Sequence, residues 1–345
     1  LNSKEKFYTR VSQITLALII YTLLVILWGA WVRISHSGDG CGDTWPLCQG
    51  QLIPQEAMKK TWVEYSHRFT SGLYGLLVIG LYFWLKRKFS QKELGSDSGI
   101  NYSTMKWSFW VLVFMITEAL LGAKLVIFRL VSLNDSVWRL VVMSLHQLNS
   151  FLLVAFTVRL FCSTFEPKLF KFFLVEQKNK ISETVSEKEI KTFFGFPVPL
   201  FLIIALAMTG AWAALSTTLF PSVSLVDGLV KDFANDSHYL LKLRVTHPFL
   251  GIVFGSFMAI MFYKKAQDYL INSSKSIMMS LLYKTAMSTS MAIATGVIIG
   301  IVTLLSLSPV TLKIIHLTIA HVLWSLFISF YHFYSLNKSF KIETK

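Results

Sequence analysis

Charge is scarce in this sequence. Asp, Glu, Lys and Arg make up 15% of its 345 residues, where a water-soluble domain carries about 25%, and that deficit excludes disorder, a coiled coil and an ordinary cytosolic enzyme. Cysteine is nearly missing, with three in all, and acidic residues number 19 against 33 Lys and Arg. No flavin or nicotinamide fingerprint is present. Apolar residues fill the space: A, V, I, L, M, F, W, Y and C account for 54%, and the mean hydropathy is +0.55. Such a composition points to several bilayer spans. At about 40 residues for a span and its share of loop, the chain has room for about eight.

Apolar segments run from Ile14 to Val32, His67 to Leu85, Trp107 to Phe128, Trp138 to Phe161, Phe196 to Leu215, Leu243 to Tyr263, Ser280 to Leu305 and Leu312 to Tyr334. The first is long, lacks a small-residue cleavage pattern after it and is closed by Arg33, so it is expected to be a retained span rather than a signal peptide. With eight spans, 22 of the 33 Lys and Arg fall on the side that carries both termini. The positive-inside rule makes that side cytoplasmic. The net charge of +14 is therefore topological, and with no aromatic-interleaved basic motif, no nucleic-acid partner is expected. A polar stretch at 165–192, rich in Lys, Glu and Ser, reads as a cytoplasmic linker between residues 1–164 and 193–345.

The two parts resemble each other. Gly29-Ala30-Trp31 ends span one and Gly210-Ala211-Trp212 ends span five, an offset of 181; His67 and Gly75 match His247 and Gly255 at 180; His146 matches His316 at 170. Each half holds an even number of helices, so the repeat is parallel and its pseudo-twofold axis runs along the membrane normal. The expected fold class is an all-α integral membrane protein of two four-helix bundles.

Of eight histidines, the repeat selects four. His67 and His247 are expected at the outer mouths of spans two and six, with His146 and His316 about 10 Å into spans four and eight. Each bundle then offers one pair of imidazoles at a common level, which suits two axial ligands on opposite faces of a haem iron. Ionisable residues inside a membrane are costly and usually functional, while a single such histidine also has the simpler reading of a hydrogen bond to a neighbouring helix. Zinc and di-iron sites lack the carboxylates they need. His321 is about 140° round the helix from His316 and is expected to be packed. His332 falls near the cytoplasmic end, and His36 and His238 lie in outer loops where solvation is expected.

The repeat breaks in one place. Glu64 shares a helix face with His67, whereas the matching position before His247 is Arg244. A guanidinium near a haem pairs most simply with propionates, and a carboxylate suits proton handling; the plainer alternative for Glu64 is a solvated residue at a helix N-terminus. Arg33 and Arg68 have no basic counterparts, Ala214 and Pro248 standing in their places, and are candidate propionate partners. Glu118 in span three and Lys124 six residues on do not face each other directly. In the first outer loop, Cys41 and Cys48 can close a disulfide, or act as a thiol relay or haem-handling pair, with the disulfide the expected state. Covalent haem attachment is unsupported, because no Cys-x-x-Cys-His occurs.

Gly29 to Arg33, Gly-Cys-Gly-Asp-Thr-Trp-Pro-Leu-Cys-Gln-Gly at 40–50, Glu64-Tyr65-Ser66-His67-Arg68, His146-Gln147, Thr246-His247-Pro248 and His316-Leu317 with Ala320 and Trp324 resemble the haem A synthase family of bacteria and mitochondria. The resemblance covers essentially the whole chain, most specifically in the first half. It implies an eight-helix oxidoreductase of haem A biosynthesis that oxidises the C8 methyl of haem O to a formyl group, supplying haem A for terminal oxidases. It further implies His67 and His146 as axial residues of the substrate haem in the first half, Glu64 as the essential acid, and His247 and His316, flanked by Arg244, as ligands of haem b in the second. Cys41 and Cys48 match the variant of the family with a cysteine pair in this loop. The partners implied are the bilayer, a haem O synthase as haem O donor, and an electron donor the sequence does not identify; association with further copies is compatible with it. A bacterial plasma membrane is expected rather than a mitochondrial inner membrane. The readings from other classes are a bis-histidine dihaem electron-transfer cytochrome and a haem carrier. The short last outer loop, Ser306 to Thr311, leaves little cover over the second site.

Overall fold

The computed structural model describes residues 3–55, 58–90, 98–165, 197–273 and 276–342. Among them, eight helices are long and apolar enough to cross a membrane. They are α1 (Ser3–Ile34), α2 (Lys59–Ser90), α3 (Ser98–Ile127), α4 (Val137–Ser163), α5 (Pro197–Leu219), α6 (Tyr239–Leu270), α7 (Ile277–Leu305) and α8 (Val310–Ile342). No strand forms among the described residues beyond an isolated bridge between Cys48 and Gln51. Apart from Phe165, the expected linker at 165–192 lies outside the described residues.

The helices follow from the sequence physics. In lipid every backbone polar group must be paired within the segment, which a helix achieves by itself. Hydroxyls that fall inside bond back to the preceding turn: Thr15 to the Val11 carbonyl at 2.8 Å, Thr22 to Leu18 at 2.7 Å and Thr157 to Leu153 at 2.8 Å. These side chains thus enter the core with no unpaired donor. Leu24, Leu76 and Phe201 point outward and are exposed, as on helices whose outer flank meets acyl chains.

The helices are longer than their apolar runs, which corrects the expected depth of the histidines. Because α2 begins at Lys59, His67 lies two turns inside it, about 12 Å at 1.5 Å per residue, instead of at its mouth. Similarly, α6 starts at Tyr239 and carries His247 beyond a break at Val245. Pro248 has no N–H to give the preceding turn, and the helix widens into a π turn over Gly251–Gly255. There Gly255 lets α7 approach, for a Cβ on it would lie 2.6 Å from Val297 Cγ2.

Helix α4 belongs to two cores. Its Leu153 and Leu160 pack with Val11, Tyr74, Val78, Leu85 and Val111 of α1 to α3. Its Phe151, Val154 and Val158 pack instead with Phe262, Trp324 and Phe327 of α6 and α8. Hydrogen bonds cross the same seam: Trp324 Nε1 to the Phe151 carbonyl at 2.7 Å, Trp212 Nε1 to Ser144 Oγ at 2.8 Å and Tyr239 Oη to the Asp135 carbonyl at 2.7 Å. Trp324 is 1% exposed, so its N–H has no water to fall back on. Replacing Trp324 by Phe should cost about 1–3 kcal/mol from the lost interhelical hydrogen bond and ring area, seen as a lower thermal midpoint in detergent; an unchanged midpoint would mean the seam does not need this bond.

Candidate functional site

The four repeat-related histidines share one local arrangement. Each ring lies against a glycine of the preceding odd-numbered helix. A Cβ on Gly29 would sit 3.0 Å from His67 Cε1, on Gly210 3.0 Å from His247 Cε1, on Gly300 3.1 Å from His316 Cε1, and on Gly122 3.7 Å from His146 Cε1. At the first three of these crossings a side chain would crowd the imidazole edge, and at Gly122 the added contact would be an ordinary one. Gly29 and Gly210 were visible in the Gly-Ala-Trp repeat; Gly122 and Gly300 were not singled out, although their offset of 178 keeps the register.

Within the second half, His247 and His316 face each other, with ring centroids 6.0 Å apart and planes at 74°. His247 Nδ1 is 3.3 Å from Thr209 Oγ1. In the first half, His67 lies within electrostatic reach of His146 and Glu118. The Nδ1 atoms of His67, His146 and His316 are buried and lack a close hydrogen-bond partner. Two imidazoles bound to one metal at about 2 Å per bond have ring centroids about 6 Å apart, so the second pair fits a shared iron.

Above the first pair, Glu64 is 3% exposed, which overturns its reading as a solvated helix-end residue. Its Oε2 accepts the Cys41 N–H at 2.8 Å, while Oε1 receives Arg68 Nη2 at 2.6 Å and Nε at 3.1 Å. Arg68 Nη1 holds the Thr44 and Leu47 carbonyls, each at 2.6 Å. Arg68 was expected to meet propionates. Its guanidinium is instead occupied in lashing the outer loop to α2. Cys41 and Cys48, joined by a disulfide, close that loop, and Gly40 lets it touch α2, since a Cβ there would lie 2.5 Å from the Lys60 backbone. Farther out, a hydrogen bond from Arg129 holds the Asp43 carboxyl below the usual carboxylate range.

Arg244 departs from expectation in the same way. It is buried against Asp232, with Nη2 to Oδ1 at 2.6 Å and Nε to Oδ2 at 3.0 Å, and it also holds the Phe220 carbonyl at 3.1 Å and Ser222 Oγ at 3.1 Å. Arg244 thereby ties the connection between α5 and α6, including the short helix Leu225–Phe233, to the start of α6. Each half has a buried carboxylate–guanidinium pair where the connection after its first helix meets the second. The contrast seen in the sequence between Glu64 and Arg244 is one of position, since the acid lies on the long helix in one half and on the connection in the other.

Arg33 is the expected propionate partner still available, its Nε buried with no hydrogen-bond partner. Glu118, for which Lys124 was the one partner the sequence offered, instead accepts Asn149 Nδ2 at 2.7 Å and the Ser150 hydroxyl, and its Oε1 lies 3.4 Å from His146 Nδ1. His321 is packed, as expected, with Nδ1 3.0 Å from the Leu317 carbonyl. His238 differs from the solvated expectation: it caps the start of α6, accepting the Leu240 N–H at 3.3 Å.

A family model described as COX15-CtaA, cytochrome oxidase assembly protein, matches residues 12–328. The chain belongs to this family. A Thermus thermophilus protein named protoheme IX farnesyltransferase is 30% identical over 326 residues, which are 94% of this chain and 48% of that protein. The chain thus spans about half the length of that relative. Heme A synthases match over shorter stretches: one from Halalkalibacterium halodurans is 41% identical over 106 residues, 31% of this chain and 33% of that protein, and one from Symbiobacterium thermophilum is 46% identical over 74 residues, 21% and 24%.

For this member of the COX15-CtaA family the disulfide is directly testable. In protein isolated without reductant and then denatured, an alkylating reagent should label Cys162 and leave Cys41 and Cys48 unlabelled, with closure of so small a loop contributing at most about 3 kcal/mol. Recovery of three labelled thiols would count against a native bridge.

Proposed function

We propose that the chain is a haem A synthase, an oxidoreductase that converts the C8 methyl of haem O to a formyl group. The observation that carries this reading is the fourfold recurrence of an imidazole seated on a glycine, in two pairs, in a chain of the COX15-CtaA family. We assign His67 and His146 to the substrate haem and His247 and His316 to haem b. The pairs are proposed to stand in two pseudo-twofold-related bundles, residues 1–164 and 193–345, with the loops that carry Glu64 and Arg244 outside and both termini in the cytoplasm of a bacterium.

Bound haem supplies the strong oxidant chemistry that an unactivated methyl requires. The chain's own residues do the rest. The glycine seats fix where each ring can stand, and the buried Nδ1 side leaves Nε2 as the ligating nitrogen. Conversion of a methyl to a formyl replaces two hydrogens by one oxygen, a four-electron oxidation whose oxygen and oxidant must both be supplied from outside the chain, and it releases protons, so a proton acceptor is needed beside the reacting edge. Glu64 is the candidate, on the face of α2 that carries His67, and Arg68 and the Cys41 amide orient its carboxylate. Arg33 is placed to meet a propionate. The name of the Thermus relative supports a farnesylated haem as substrate and its synthase as the supplier; the electron donor is a separate partner.

Expression of the full chain with a haem O supply, followed by mass analysis of the extracted haems, tests the activity. Haem A is expected from the wild type, while Glu64→Gln and Glu64→Ala should retain haem but form at least tenfold less haem A. Haem O recovered unchanged from the wild type would favour a dihaem electron-transfer cytochrome.

The seats give a second test. Gly210→Ala and Gly300→Ala put a Cβ about 3 Å from a ring edge and should lower haem b content severalfold, as His247→Ala should abolish it. Gly122→Ala, where the contact is an ordinary 3.7 Å, should be tolerated. Equal haem content in all three glycine variants would remove the seats from the account.

A further inference from the structure

The two histidine pairs differ in what stands behind one ring. In the first half, a polar network joins α3 to α4: Thr117 Oγ1 donates to Asn149 Oδ1 at 2.7 Å, Asn149 Nδ2 donates to the Phe114 carbonyl at 2.8 Å and to Glu118 Oε2 at 2.7 Å, and the Ser150 hydroxyl donates to Glu118 Oε1. The same Oε1 lies 3.4 Å from His146 Nδ1. At the offset of 178 that relates Gly122 to Gly300, Glu118 corresponds to Gly296, and at the offset of 170 that relates His146 to His316, Asn149 and Ser150 correspond to Ile319 and Ala320. Contact between those places persists but is apolar, a Cβ on Gly296 lying 3.6 Å from Ile319 Cγ2. His316 has the Gly296 carbonyl where His146 has a carboxylate.

On the reading that the histidines bind haem, we infer that Glu118 is a positioning residue that holds the Nδ1–H of His146 and makes this ring a more electron-rich ligand than His316. A carboxylate on the far nitrogen of a ligating imidazole fixes the tautomer and raises ligand basicity. A helix clamp alone would not need a charge. Asn149 and Ser150 already bridge to α3, and an acid inside a span is costly unless it is used. A more basic ligand favours the oxidised iron, so the haem of the first half is held at a lower reduction potential than that of the second. The other groups that sense Glu118 are His67 and Tyr74 on α2, both on the same side of the network.

The test is a spectroelectrochemical titration of the full-length protein with its bound haems. Glu118→Gln keeps an acceptor for Asn149 or Ser150 and removes the charge. It should leave haem content unchanged and raise one midpoint potential, shifting the oxidised-to-reduced ratio at fixed potential by about tenfold, which is about 59 mV for one electron. The other potential should stay in place. Ser150→Ala removes a competing donor from the carboxylate and should move the same potential the opposite way, which keeps the test available if Glu118→Gln does not assemble. Both potentials unmoved in each assembled variant, or both moved together, would overturn the role of Glu118. A wild-type protein that binds no haem would overturn the haem reading as well, and the two failures are thus distinct.

Discussion

An imidazole at the crossing of two tightly packed membrane helices needs a small residue on the opposite helix. That steric constraint recurs through this molecule. Four times a histidine on an even-numbered helix meets a glycine on the odd-numbered helix before it, and at three of the four crossings a methyl group would press on the ring at 3.0 to 3.1 Å. A ring so confined keeps its nitrogens at a fixed place before any ligand arrives, which is the preorganisation a metal site requires.

The buried ion pairs obey a related rule, that a charge taken out of water must be paired. Each half places one carboxylate against one guanidinium where the connection after its first helix meets the second, and in both the arginine also gathers loop carbonyls. Glu64 anchors the disulfide loop through the Cys41 amide and stands on the face of α2 that carries His67. This coupling of loop to helix face is why replacing Glu64 has consequences for the loop as well as for the proton role proposed for it.

Much of the architecture was legible in the sequence because lipid makes composition decisive: runs of Leu, Ile, Val and Phe had to be helices, and eight of them are present. The histidines, Glu64 and the cysteine pair were legible as well, through a repeat and a family likeness that do not depend on exact distances. What was not legible was partnership. Nothing in spacing alone says that Arg68 turns back to Glu64 and two loop carbonyls, that Arg244 meets Asp232 across a loop, or that Glu118 faces His146 instead of Lys124. Helix ends were also misjudged, because polar turns at Lys59 and Tyr239 continue helices beyond their apolar runs and sink His67 and His247 deeper than hydropathy suggests.

The double allegiance of α4 bears on how such a chain can change over time. His146 rides on this helix, and one turn on the Phe151 carbonyl is fastened to Trp324 of α8, the helix that carries His316. The distance between the two histidine pairs is therefore tied to a packed seam. A change of volume along that seam reaches both pairs at once.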